Sequence, residues 1–181
     1  MKRVLIIPRS RENSLSVPLT MVCHLTRLAV AAWFIWGLVS GTIFWSDKDR
    51  ILRAFAATGH PLESISGIQQ AAAYSALLIV SVPAAVFVVK FWRLFAYYIA
   101  GHIFDRQAVS TFRAMARVAM AVYVLSLVMR SVELNLLSNG GLTFLFVPDD
   151  LLEGAVVLFL VTLAEVFSAG AAIADEHSQI V

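Results

Sequence analysis

Residues 71–106 read AAAYSALLIVSVPAAVFVVKFWRLFAYYIAGHIFDR, and the fold turns on how far a helix can run through them. No charge appears from 71 to 89, and after Pro83 no helix breaker stands before Gly101. A helix over 71–100 is about 45 Å long at ~1.5 Å per residue, whereas ~20 residues cross a hydrocarbon core of ~30 Å. The segment is therefore a membrane span with a surplus of about two to three turns, which either project into water or lie along the interface. Pro83 removes one backbone donor inside the span and is expected to bend it. Gly101 is the natural stop, because a left-handed residue costs glycine little. Asp105 is placed to cap the next helix with its carboxylate. The result is a helical hairpin tip crowded with aromatic and basic residues.

Working outward, the rest of the 181-residue chain repeats the pattern. Hydrophobic residues make up 60% and charged residues 14%, well below the roughly 25% charge of an average soluble domain. A first span is expected over 26–45, with 28–45 uncharged and Trp45 at interfacial depth. Gly37 and Gly41, four apart, offer a face on which another helix can approach closely. Loop one carries Ser46-Asp47-Lys48-Asp49-Arg50 and a short amphipathic helix over 51–57, stopped by Gly59 and Pro61. The second span is 70–91. The third, 114–135, follows Arg106, Arg113 and Arg117, and Arg130 and Glu133 have the spacing to pair on one helical face. Ser138-Asn139-Gly140-Gly141 ends that helix, and an apolar patch over 142–147 dips toward the interface. Pro148-Asp149-Asp150 opens a fourth span, 151–172, with acidic residues suited to a helix N-terminus.

Lysine and arginine placement sets the orientation. Of the 14 such residues, five lie in the segment up to Arg27, five are Lys90, Arg93, Arg106, Arg113 and Arg117, three lie in loop one and one is Arg130. Both termini and the tip are thus expected in the cytoplasm, N-in/C-in. Residues 1–25 form a basic tail able to touch anionic lipid, and 26–181 form one membrane domain. The apolar run after Lys2-Arg3 is shorter than a signal-peptide core of roughly 7–15 residues. A single cysteine, Cys23, excludes an intramolecular disulfide and a C-x-x-C pair.

Chemistry-bearing residues are few. Glu165 lies within the fourth span, with Thr162, Ser168, Ala169 and Ala172 on what is expected to be its bundle-facing side. It reads either as an intramembrane ion or proton site or as a protonated or arginine-paired structural acid. The four histidines (24, 60, 102 and 177) are scattered, without the spacing of a metal site. There is no Gly-rich phosphate loop, nucleophile elbow or pair of catalytic acids, so neither an enzyme nor a cofactor is expected. The aromatic cluster of Phe91, Trp92, Phe95, Tyr97 and Tyr98 reads as an interfacial belt, as a partner-docking surface, or as both.

Leu94-Phe95, then Gly101-His102-Ile103-Phe104-Asp105, then Val109 and Phe112-Arg113 resemble the pattern of a bacterial integral-membrane family known as domain of unknown function 2975. Its members carry a Gly-x-Ile-Phe turn after the second span. Their C-terminal ending is similar to Gly170-Ala171-Ala172-Ile173-Ala174-Asp175-Glu176. The resemblance covers 26–181. The family usually has Ser or Thr where Asp105 stands, and often ends in Thr-Val or Thr-Ile where this chain has Ile180-Val181. Members are often encoded beside small helix-turn-helix regulators, which implies signalling or regulation by association.

The expectation is an all-α, polytopic four-helix bundle in a bacterial cytoplasmic membrane, regulatory or accessory in role. Its partner-binding residues would be Arg93, Phe95, Tyr97, Tyr98, Gly101, His102, Phe104, Asp105 and Arg106 on the turn at 90–117. Its partner would be a small helix-turn-helix regulator or another membrane protein, with no direct nucleic-acid binding and with self-association open. The alternatives are a small transporter or channel subunit using Glu165, and an envelope stress or immunity protein. Asp175 and Glu176 are expected to emerge beside Arg106, Arg113 and Arg117 and to hold the tail near the turn.

Overall fold

The structure, a computed structural model, describes residues 17–57, 64–103, 105–137 and 146–178, with the side chains of the last stretch described as far as Ile173. The described residues form five helices and no strand: α1 Val17–Ser46, α2 Lys48–Ala57, α3 Gly67–Ile99, α4 Arg106–Leu137 and α5 Pro148–Ser178. Four of them, all but α2, are long and apolar enough to cross a membrane. Each expected span lies inside one of these. The tail before residue 17, the stops at Gly59 and Pro61, Phe104, the 138–141 helix end and most of the 142–147 patch lie outside the described residues. So do the side chains of Asp175 and Glu176.

Helix α1 starts at Val17, inside the stretch expected to be an irregular tail. Within this extension Cys23 is buried, while Val17, Leu19, Met21 and Val22 are exposed. Helix α2 also begins earlier than expected. The Asp47 Oδ1 carboxylate oxygen accepts from the amides of Asp49 and Arg50 at 3.1 and 3.2 Å, an N-cap that starts the helix at Lys48.

The membrane helices pack in series: α1 against α3, α3 against α4, and α4 against α5. Helix α4 is the most enclosed, and its buried face includes Ala108, Phe112, Met115, Ala116 and Ala119. The outer helices present apolar side chains outward, among them Trp33 and Trp36 of α1 at 77% and 71% exposure. Such surface is what lipid would cover, and it accounts for the low charge of the sequence.

Two apolar clusters close the two ends. At one end Trp45, Ile51, Ile65, Ala73 and Leu137 pack together, with α2 supplying the fully buried Ile51. The polar backbone there is satisfied by two adjacent glutamines. Gln70 Nε2 donates to the Trp45 carbonyl at 2.6 Å, and Gln69 Nε2 donates to the Leu136 carbonyl at 3.1 Å. These are C-terminal carbonyls of α1 and α4, which have no partner within their own helices. Gln69 also completes a capping box with Ser66, whose Oγ accepts the Gln69 amide at 3.2 Å while the Ser66 amide donates to Gln69 Oε1 at 3.0 Å.

The same end is bolted by Asp150, which is 1% exposed. Its Oδ1 accepts from Arg130 Nη1 at 2.6 Å, and its Oδ2 accepts the Val147 amide at 2.8 Å. Its carbonyl accepts the Tyr123 hydroxyl at 2.9 Å. The expected pairing of Arg130 with Glu133 is replaced by this one. Among the described residues no ion pair joins Arg130 to Glu133, because Arg130 reaches across to α5 and not along α4. The acidic opening of α5 is as expected, and Pro148 takes its first position.

Of the two glycines singled out on α1, only Gly41 is at a helix contact. A Cβ there would meet Leu77 of α3 at 2.9 Å, whereas Gly37 has nothing within 4 Å. A tighter glycine contact among the described residues is one that spacing did not reveal. A Cβ on Gly154 of α5 would lie 2.7 Å from the Tyr123 hydroxyl of α4.

Candidate functional site

At the other end of the molecule, the close of α3 is built as the sequence dictates. Gly101 has φ of 81°. Its amide donates to the Tyr98 carbonyl and the His102 amide donates to the Tyr97 carbonyl, both at 3.0 Å. This pair of bonds is the Schellman arrangement, which needs a left-handed residue at the position Gly101 fills. Helix α4 then begins at Arg106, and the Asp105 carbonyl accepts the Val109 amide at 3.0 Å. Asp105 therefore holds the N-cap position.

Below the turn lies the second cluster: Leu94 of α3, Phe112, Met115 and Ala116 of α4, and Ala164 of α5. Phe87, Phe91, Phe95 and Tyr98 form a ladder along α3, with successive ring centroids 6.0, 4.6 and 5.7 Å apart. Phe112 meets Phe167 of α5 edge to face at 5.7 Å. Such contacts add about 0.5–1.5 kcal/mol each beyond area burial and hold the helix ends in fixed relation.

This packing divides the expected partner-binding residues. Phe95 and Tyr98 are half-buried and engaged in the ladder, and Tyr97 is half-buried. Gly101 contributes backbone geometry. Arg93, His102, Asp105 and Arg106 are exposed and form the accessible polar part of the tip. Phe104 lies outside the described residues.

Glu165 sits beside the tip, on the opposite flank of α4. Arg113 Nη2 donates to its Oε2 at 2.8 Å and to Ser168 Oγ at 2.5 Å. The Glu165 side chain is 60% exposed. Of the two sequence readings, the arginine-paired acid is the one the geometry supports. The side of α5 expected to face the bundle does so only in part: Ser168 is half-buried and accepts from Arg113, whereas Thr162, Ala169 and Ala172 are exposed, and the buried line passes through Ala164. A helix advances about 100° per residue, so a shift of one position moves the seam off Glu165.

A further contact was not legible from motif spacing. The Arg27 guanidinium of α1 lies 3.9 Å from the centre of the Trp92 ring of α3. Trp92 is therefore more than a belt residue. The signal that would have found the pair is depth. Arg27 is about 27 Å along its helix from Trp45, and Trp92 is about 33 Å from Gln70, at ~1.5 Å per residue. Since Gln70 bonds to Trp45, antiparallel helices bring Arg27 and Trp92 within about one helical turn of each other in depth, a gap that an arginine side chain spans.

These contacts also gather the helix ends. The start of α1, the close of α3, the start of α4 and the later turns of α5 meet at one end of the molecule. That end carries Arg27, Lys90, Arg93, Arg106, Arg113 and Arg117.

No curated protein and no solved structure matches the chain. The family model described as "Protein of unknown function (DUF2975)" matches residues 14–181, which extends past the expected 26–181 to take in the start of α1. With nearly its whole length matched, the tip included, the chain belongs to the DUF2975 family.

Proposed function

We propose that this is a non-enzymatic, regulatory or accessory protein of a bacterial cytoplasmic membrane, with both termini inside. Its α3–α4 tip is a docking surface for a small helix-turn-helix transcription regulator. The observation that carries this reading is the exposed polar set of Arg93, His102, Asp105 and Arg106, held on helix ends that are internally capped and packed. A surface of that kind presents fixed charges at little ordering cost when a partner arrives. Length supports it as well: α3 has 33 residues, about 50 Å against a core of ~30 Å. The cytoplasmic assignment rests on the lysine and arginine excess at the tip end, and the regulator class rests on the family's gene neighbourhood.

Transport through Glu165 draws less support, because its carboxylate is engaged by Arg113 at 2.8 Å. Photocrosslinking in cells tests the docking reading. A crosslinker replacing His102 should yield an adduct with a soluble helix-turn-helix protein, identified by mass spectrometry. One replacing Lys48 on α2 should not. Tip adducts confined to lipid or absent would contradict the proposal.

A further inference from the structure

Arg27, Arg113 and Arg130 project from the membrane helices toward neighbouring helices, and their surroundings differ. Arg113 has Glu165 and Arg130 has Asp150, each within ion-pair distance. Arg27 has no carboxylate partner among the described residues. Its guanidinium rests on the Trp92 ring, and its Nε, like that of Arg113, is buried without a hydrogen-bond partner. An aromatic face attracts a cation but leaves its N–H donors unmet. A guanidinium at the edge of a hydrocarbon core, with donors to spare, matches a phosphate group in geometry and charge.

Position decides the source of that phosphate. Arg27 stands about 27 Å along α1 from the Trp45 end, at ~1.5 Å per residue. Since a hydrocarbon core is ~30 Å thick, Arg27 lies where headgroup phosphates begin. Val30 and Ala31, three and four residues further along the same face of α1, are partly exposed, and so is Trp92. An acyl chain has apolar surface to lie against directly beside the guanidinium. Resting on the membrane-spanning reading of the four helices, we infer that Arg27 and Trp92 form a binding site for the phosphate headgroup of an anionic lipid in the crevice between α1 and α3.

The test reconstitutes the full chain in phosphatidylcholine vesicles containing the same trace fraction of acyl-brominated phosphatidylglycerol or acyl-brominated phosphatidylcholine. Tryptophan quenching then reports which lipid sits beside the helices. Trp33 and Trp36 face outward on α1 and are quenched by either lipid. Trp92 should be quenched preferentially by the anionic one, through enrichment of about fivefold for a single basic residue at an anionic headgroup. The excess should vanish in Arg27→Gln and in Trp92→Phe, and should persist in part in Arg27→Lys, which keeps the charge and serves should Arg27→Gln fail to fold. Inorganic phosphate in the buffer should leave it unchanged. Equal quenching by the two lipids, or an excess retained in Arg27→Gln, would overturn the site. An excess abolished by inorganic phosphate would overturn the lipid assignment in favour of a free anion.

Discussion

Replacing Asp150 by Ala is expected to destabilise the protein by about 3 kcal/mol, the largest single effect we anticipate. The carboxylate is 1% exposed and accepts from Arg130 and from the Val147 amide. Removing it leaves a guanidinium and a helix N-terminal amide without their acceptor. Breaking a buried pair costs about 3–5 kcal/mol, and the lower end applies because the Arg130 side chain is 35% exposed and can reach toward water. Asp150→Asn should cost clearly less, since an amide oxygen can still accept the Val147 amide. Glu133→Gln should cost least, because Glu133 is not the ion-pair partner of Arg130. Unfolding of the purified protein in mixed micelles by titrated SDS measures all three. Equal losses for Asp150→Ala and Glu133→Gln would mean that Arg130 is held along α4, and not across to α5.

Gly154→Ala is the second large effect, expected at about 1–3 kcal/mol by overpacking. The added Cβ would stand 2.7 Å from the Tyr123 hydroxyl and 3.0 Å from the ring carbon bearing it. A tyrosine at a helix seam could swing aside, but its hydroxyl is tied to the Asp150 carbonyl at 2.9 Å. The helices must separate or that bond must break. Tyr123→Phe removes the nearest atom, so it should be mildly destabilising alone and should recover part of the loss in the Gly154→Ala background. The same SDS titration of the two single variants and the double variant gives the coupling. Strict additivity would show that Gly154 is not in contact with Tyr123.

The turn at Gly101 was legible because its information is local. A glycine followed by an aspartate, after an overlong apolar helix, specifies a left-handed stop and a new start, and φ of 81° at Gly101 agrees. The four long apolar helices were legible for a similar reason: an uncharged stretch of sufficient length has few other uses. What stayed hidden was pairing across helices. Arg130 has an acid three residues away, and sequence favours that neighbour. The fold prefers Asp150, which approaches only once α4 and α5 are packed. Gly37 and Gly41 share a spacing, yet only Gly41 meets α3. Gln70, where the second span was expected to begin, and Gln69 before it satisfy the ends of two other helices. Rotation about a helix axis is the quantity that spacing leaves free, as the displaced seam near Glu165 shows.

At the tip, the aromatic residues near the end of α3 are spent largely on internal packing, and the charged residues above them are left accessible. That separation makes the proposed docking surface a polar one. It also ties the functional reading to orientation, since the tip can meet a cytoplasmic regulator only from the cytoplasmic side.

Labelling with a membrane-impermeant maleimide, in a Cys23→Ala background, tests that claim most directly. His102→Cys at the tip should react only after the cells are permeabilised, and Lys48→Cys on α2 should react in spheroplasts left intact. Labelling of His102→Cys in intact spheroplasts, with protection of Lys48→Cys, would place the tip outside and contradict the account.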